Sequence, residues 1–119
     1  MAVARTPRRG EVWMVDFNPA VGGEIRKSRP ALVINLDTIG RLPLRIVVPI
    51  TEWNPQFSSL PWFVRLPATL GNGLTKDSAA DAFQTKSVSL ARFTRRLGAV
   101  TPAQVEEIAA AIALCVGAP

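Results

Sequence analysis

The chain has 119 residues, 48% of them apolar and 19% charged, which fits one globular domain rather than a disordered segment. Fourteen Lys and Arg against nine Asp and Glu leave a formal charge of +5, so a polyanionic partner is expected. His is absent and Cys115 is the lone cysteine, which excludes a disulfide framework, a zinc site built on Cys and His, and any acid–base scheme resting on an imidazole. No window approaches the roughly 18 to 20 apolar residues of a membrane span. The basic N-terminus is followed by no secretory apolar run. These features read as a soluble, reduced, cytoplasmic protein without metal or cofactor.

Residues 1–9 (MAVARTPRR) read as a flexible basic tail, either a solvated end or an electrostatic arm, and residues 10–119 as one domain. Residues 11–17 (EVWMVDF) form the first expected strand, with Trp13, Val15 and Phe17 on one face and Val12 and Met14 on the other. Residues 18–28 (NPAVGGEIRKS) are a charged loop with a Gly22-Gly23 pair. Arg29-Pro30 opens a second strand over 31–36, and a turn region, 37–43, leads to a third over 44–51. Pro49 inside the third strand suggests an edge or a bulge. Residues 52–61 are a loop whose Trp53 and Phe57 make either a satellite core or a stacking surface. Short strands are expected at 62–66 and 81–90, with a turn-rich segment around Gly71-Asn72-Gly73 between them.

A helix over about 101–116 closes the chain. Thr101 is its N-cap, Pro102 sits at N1, and Gln104 at N3 completes a capping box. Val105, Ile108, Ala109, Ile112, Cys115 and Val116 make one apolar stripe, and Gly117 ends it. Several strands followed by one helix give a mainly β fold of α+β type, a small antiparallel barrel.

Polar groups gather in three places: Glu24, Arg26, Lys27 and Arg29; Thr51 and Glu52; and the stretch from Lys76 to Arg96. Guanidinium groups beside a hydroxyl suit a phosphate, because Arg presents planar paired donors to its oxygens. Each charge taken singly reads equally well as a solvated surface residue.

Five stretches in order resemble the MazF/PemK family of toxin endoribonucleases: residues 10–19 (GEVWMVDFNP), 23–34 (GEIRKSRPALVI), 48–51 (VPIT), 73–78 (GLTKDS) and 84–88 (QTKSV) with Arg92 beyond. The resemblance implies an SH3-like barrel with a C-terminal helix, assembled as a homodimer. It implies metal-independent cleavage of single-stranded RNA at short sequences, leaving 2′,3′-cyclic phosphate and 5′-hydroxyl ends, and neutralisation by a MazE-like antitoxin. Arg29 matches the family's catalytic arginine and Thr51 its catalytic threonine, while Glu24 matches a position used in some members to activate the 2′-hydroxyl. Phe17, Asn18, Arg26, Lys27, Ser28, Lys76, Ser78, Gln84 and Lys86 fall at expected RNA-contacting positions, although Phe17 also reads as core.

The chain departs from one branch of the family, with Gly23 in place of a His, and Asp81 and Phe83 in place of an Arg and an Asp. Lys86 replaces the more usual Arg. Asp81 puts a carboxylate on a strand that is usually apolar, which reads either as altered base preference or as simple exposure. Rival classes are a CcdB-like toxin that binds DNA gyrase without catalysis, and an inactive nucleic-acid-binding barrel. The pairing of Arg29-Pro30 with Pro49-Ile50-Thr51 favours the ribonuclease.

Overall fold

A computed structural model describes residues 6–39 and 43–119. Residues 1–5 of the expected tail, and 40–42 of the expected turn region, lie outside the described residues. The tail reading does not extend to residues 7–9. Pro7 is buried. The Arg9 amide donates to Asp37 at 2.8 Å, its guanidinium donates to the Ile34 carbonyl, and the same group pairs with Glu106 at 3.6 Å.

Seven strands and one helix follow: β1 (Glu11–Asp16), β2 (Ser28–Val33), β3 (Leu44–Glu52), β4 (Phe63–Leu66), β5 (Ser78–Asp81), β6 (Lys86–Ser89), β7 (Phe93–Ala99) and α1 (Pro102–Cys115). The paired order is β4-β5-β3-β2-β1-β7, and β6 pairs with the first half of β3; every pairing is antiparallel. The sheet curls like a barrel but stays open, with β4 and β7 at its ends. The expected strand over 81–90 is in fact broken. Asp81 ends β5 and caps a 3-10 turn, Ala82–Gln84, before β6 begins. β7 has no counterpart among the expected strands, because its FTRRLGA run is charged and half-exposed.

Two prolines decide where ladders stop. The Ile34 amide donates to the Ile46 carbonyl, so even-numbered residues of β2 and β3 turn their backbones toward each other. Pro49 therefore turns its nitrogen to the other side. There β3 changes partner, from β6, which ends at Val47↔Lys86, to β5, which begins at Ile50↔Ala80. No donor is needed at that gap, so Pro49 sits buried in the central strand rather than at an edge. Pro30 is the mirror case. It would have to donate to β3 on the rung after Leu32↔Val48, and the β2–β3 ladder ends at Ala31↔Pro49 instead. β2 nevertheless starts at Ser28, because residues 28–30 pair with β1.

The alternation of side chains builds two cores. The first holds Val12, Leu32, Val48, Ile50, Val64 and Leu66 under Val105, Ile108 and Ala111 of α1. Burying one such side chain contributes about 1.5–3 kcal/mol. The helix carries the expected capping box, with Thr101 and Gln104 bonded reciprocally, and Gly117 follows it at φ 69°. Its stripe differs at the end: Ala111 is buried, and Val116 is exposed beyond the last turn. The second core, on the opposite face of the sheet, holds Trp13, Val15, Phe17, Ala31, Val33, Val47, Val88 and Phe93. Trp13 and Phe93 meet edge to face at 5.8 Å.

The turn at residues 71–73 is a tight joint. Asn72, 2% exposed, accepts from the Thr69 and Leu74 amides and donates to the Pro67 carbonyl. A Cβ on Gly98 would lie 2.3 Å from the Gly71 carbonyl oxygen, so β7 packs against this turn backbone to backbone.

Candidate nucleic-acid cleavage site

The face that buries the second core runs on into the polar residues. Arg29 lies two residues before Ala31, Thr51 two after Pro49, and Lys86 two before Val88, so all three project from that face. The β2–β3 register carried past Ala31↔Pro49 sets Arg29 opposite Thr51. Because Pro30 has no N–H to donate, the ladder ends at Ala31↔Pro49, and no ladder pair joins Arg29 to Thr51. Arg29 Nε donates to the Arg26 carbonyl at 3.0 Å, which fixes the root of the guanidinium. Its two terminal nitrogens, the Thr51 hydroxyl and the Lys86 ammonium have no hydrogen-bond partner among the described residues. That is a donor set for an oxyanion, held at the ends of strands.

The loop between β1 and β2 leads into Arg29, which bonds back to it at the Arg26 carbonyl. Its ends are tied: Phe17 N donates to Lys27 O at 2.9 Å, and Lys27 N to Asn18 Oδ1 at 3.0 Å. Arg92 reaches from beyond β6 to the Asp16 carbonyl at 3.0 Å and to that of Asn18. The tip is a self-bonded turn. Glu24 N donates to Val21 O at 3.1 Å, the Glu24 carboxylate accepts from Val21 N at 2.8 Å, and Arg26 donates to Gly22 O. A cleft of about 380 Å³ lies between residues 23–25 of the loop and residues 83–86.

The expected RNA-contacting positions divide. Arg26, Lys27 and Ser28 are exposed on the loop and at the start of β2, and Lys86 lines the cleft. Asn18 is exposed, but its amide oxygen is committed to Lys27. Gln84 is committed as well, accepting from Ile25 N at 2.5 Å and donating to Gly23 O at 3.4 Å. Phe17, 2% exposed, is core. Ser78 is buried, with its hydroxyl donated to the Lys76 carbonyl at 2.8 Å, and so presents nothing to a ligand. Lys76 is exposed and pairs with Glu52 at 3.4 Å.

Asp81 is buried at 7% exposure, which rules out the reading as a surface carboxylate. Burial pushes its pKa up, and hydrogen bonds from the Phe83 amide and from the amide and side chain of Gln84 only partly offset this. Asp77 moves the other way. The hydrogen-bonded Arg65 guanidinium, 2.5 Å away, holds its carboxyl below the usual range. Arg65 also lies 4.7 Å over the Trp53 ring.

From Trp53 the rings of Phe57, Phe63, Trp62 and Phe83 continue as a chain, with Phe57 and Phe63 stacked at 3.8 Å. The first four rings are half-buried and form the satellite core. Phe83, 71% exposed, ends the chain at the lip of the cleft. Of the two readings of Asp81, exposure is excluded by its burial; Phe83, noted in the sequence only as a departure from the family, lines the cleft.

The chain is similar to proteins of known family. The family described as "PemK-like, MazF-like toxin of type II toxin-antitoxin system" matches residues 8–116. Endoribonuclease MazF9 of Mycobacterium tuberculosis is 35% identical over 113 residues, covering 90% of this chain and 93% of the relative. Among solved structures, MazF from Deinococcus radiodurans superposes with a TM-score of 0.80 at 23% identity, covering 95% of this chain and 98% of the other. A mycobacterial endoribonuclease in complex with its cognate antitoxin gives 0.74 at 21% identity, covering 96% and 98%. A match across almost the whole chain, over residues that include Arg29, Thr51 and the β1–β2 loop, means that this protein belongs to the PemK-like, MazF-like toxins of type II toxin–antitoxin systems.

Proposed function

We propose that the chain is a toxin endoribonuclease that cleaves single-stranded RNA at short specific sequences and is neutralised by a cognate antitoxin. The observation that carries this is the β2–β3 register at Pro30, which sets Arg29, its terminal guanidinium nitrogens unbonded, opposite the Thr51 hydroxyl. The name of the MazF9 relative and the antitoxin complex of the mycobacterial neighbour support it.

In the proposed reaction the ribose 2′-oxygen attacks the adjacent phosphorus, the bond to the 5′-oxygen breaks, and a 2′,3′-cyclic phosphate and a 5′-hydroxyl result. Arg29 binds the scissile phosphate, offsets the charge that builds on its oxygens, and is the group placed to return a proton to the leaving 5′-oxygen. Thr51 donates to a non-bridging oxygen and fixes the angle of attack. Glu24 takes the proton from the 2′-hydroxyl after giving up its bond to Val21 N. Lys86, Arg26 and Lys27 hold the flanking phosphates, and two copies of the chain assemble as a homodimer. No bound metal takes part in the scheme.

The test is cleavage of a long single-stranded RNA in excess EDTA by wild type and by Arg29→Ala, with the ends mapped. Discrete cuts by wild type alone, with cyclic-phosphate ends, are expected. Binding without cutting by well-folded wild type, or capture of gyrase in its place, would move the reading to a non-enzymatic toxin.

A further inference from the structure

The tip of the β1–β2 loop touches the body of the protein in two ways: Ile25 packs on the second core, and its backbone meets the Gln84 carboxamide. A carboxamide placed there works only one way round. Its oxygen must face the Ile25 N–H and its nitrogen the Gly23 carbonyl, since the flipped amide would set donor against donor and acceptor against acceptor.

Asp81 seats the turn that carries this carboxamide. Its carboxylate accepts from the Phe83 amide at 3.2 Å. Asp81 is buried and caps the 3-10 turn that carries Gln84, so the whole device is seated on β5 rather than on a loop.

We propose that Asp81 and Gln84 are a positioning pair, which docks the loop tip with Glu24 as one wall of the cleft and holds the Arg26 carbonyl that anchors Arg29. Its catalytic consequence rests on the ribonuclease reading; the docking does not. The loop ends are pinned independently by Lys27, Asn18 and Arg92, so loss of the pair frees the tip as a hinged turn and leaves the rest in place.

The experiment compares amide exchange at Ile25 with exchange at Leu32 and Val48, and measures RNA cleavage, in the full chain. The variants are Gln84→Ala, Gln84→Glu and Asp81→Ala. Loss of one such bond speeds Ile25 exchange about tenfold in Gln84→Ala and lowers kcat about tenfold with little change in KM, while Leu32 and Val48 are unmoved. Gln84→Glu keeps an acceptor for Ile25 N but sets its second oxygen against the Gly23 carbonyl, so it speeds Ile25 exchange by less than Gln84→Ala. Asp81→Ala removes the cap of the turn that carries Gln84 and speeds Ile25 exchange in the same direction.

Unchanged Ile25 exchange in the Gln84 variants overturns the docking. Lost protection with undiminished kcat overturns the positioning role. The expected exchange pattern in a wild type that cuts no RNA leaves the docking standing and overturns the ribonuclease reading instead. If Asp81→Ala speeds Leu32 and Val48 along with Ile25, it has unfolded the protein, and the Gln84 variants decide.

Discussion

Arg29 and Thr51 differ in what their loss should do. Arg29→Ala removes both the charge and the paired donors, and Thr51→Ala removes one donor. Each should lower kcat by about 10²-fold or more, the range for deleting one donor to a developing oxyanion, with RNA affinity reduced much less. Single-turnover cleavage beside a binding titration separates the two. Glu11 tests the electrostatics of the fold itself. Burial raises its pKa, but the Arg8 amide at 2.7 Å, Arg96 at 2.8 Å and the Trp13 indole at 3.1 Å outweigh that, so the net shift is downward. A carboxylate with a depressed folded pKa contributes stability above its unfolded pKa, near 4.5, and loses it as pH falls through the folded value. Glu11→Gln should therefore cost about 1–2 kcal/mol at pH 7 and progressively less toward pH 3, measured by urea unfolding across pH. Asp81 has the opposite sign. Its raised pKa means that its contribution weakens as pH rises through the window above the ordinary carboxylate range.

Among the elements, the two prolines divide the work. Pro30→Ala supplies the donor that β2 lacks toward β3, so the ladder can run one rung further and draw Arg29 and Thr51 into a paired rung. The expected outcome is stability within about 1 kcal/mol of wild type, because a new hydrogen bond offsets the freer unfolded chain, together with a loss of cleavage. A fall in stability with cleavage intact would show that Pro30 serves the fold alone. Gly98→Ala probes the joint between β7 and the 71–73 turn. Its Cβ meets backbone atoms that cannot step aside, so a loss of about 2–4 kcal/mol is expected by denaturant unfolding, with the α1 capping box unaffected. The capping box and the first strand were legible in the sequence because caps and alternation are short-range signals. β7 was not, since its polar FTRRLGA run is a strand only because β1 offers it an edge.

Over the whole molecule, the charge of +5 bears, on the ribonuclease reading, on the strength of RNA binding rather than on its chemistry. For a single strand the slope of log K against log salt is about −0.7 per phosphate contact, so Lys86→Ala should flatten it by about 0.7 without changing where the RNA is cut. An altered cleavage motif would instead make Lys86 a base reader.

Much of the protein's identity was present in the order of its residues. The Arg29-Pro30 and Pro49-Ile50-Thr51 stretches, the glycine-bearing loop and the Thr101–Gln104 cap are local patterns, and each carries its meaning within a few residues. The tertiary structure alone decided which polar groups converge. Ile25 and Gln84 stand 59 positions apart, and their meeting follows from strand register. Register likewise put Ser78 and Phe17 in the interior and left Phe83 at the lip of the cleft. Side-chain alternation says that a residue has two faces to choose from; only the neighbouring strands, placed by distant sequence, determine which face is core and which is site.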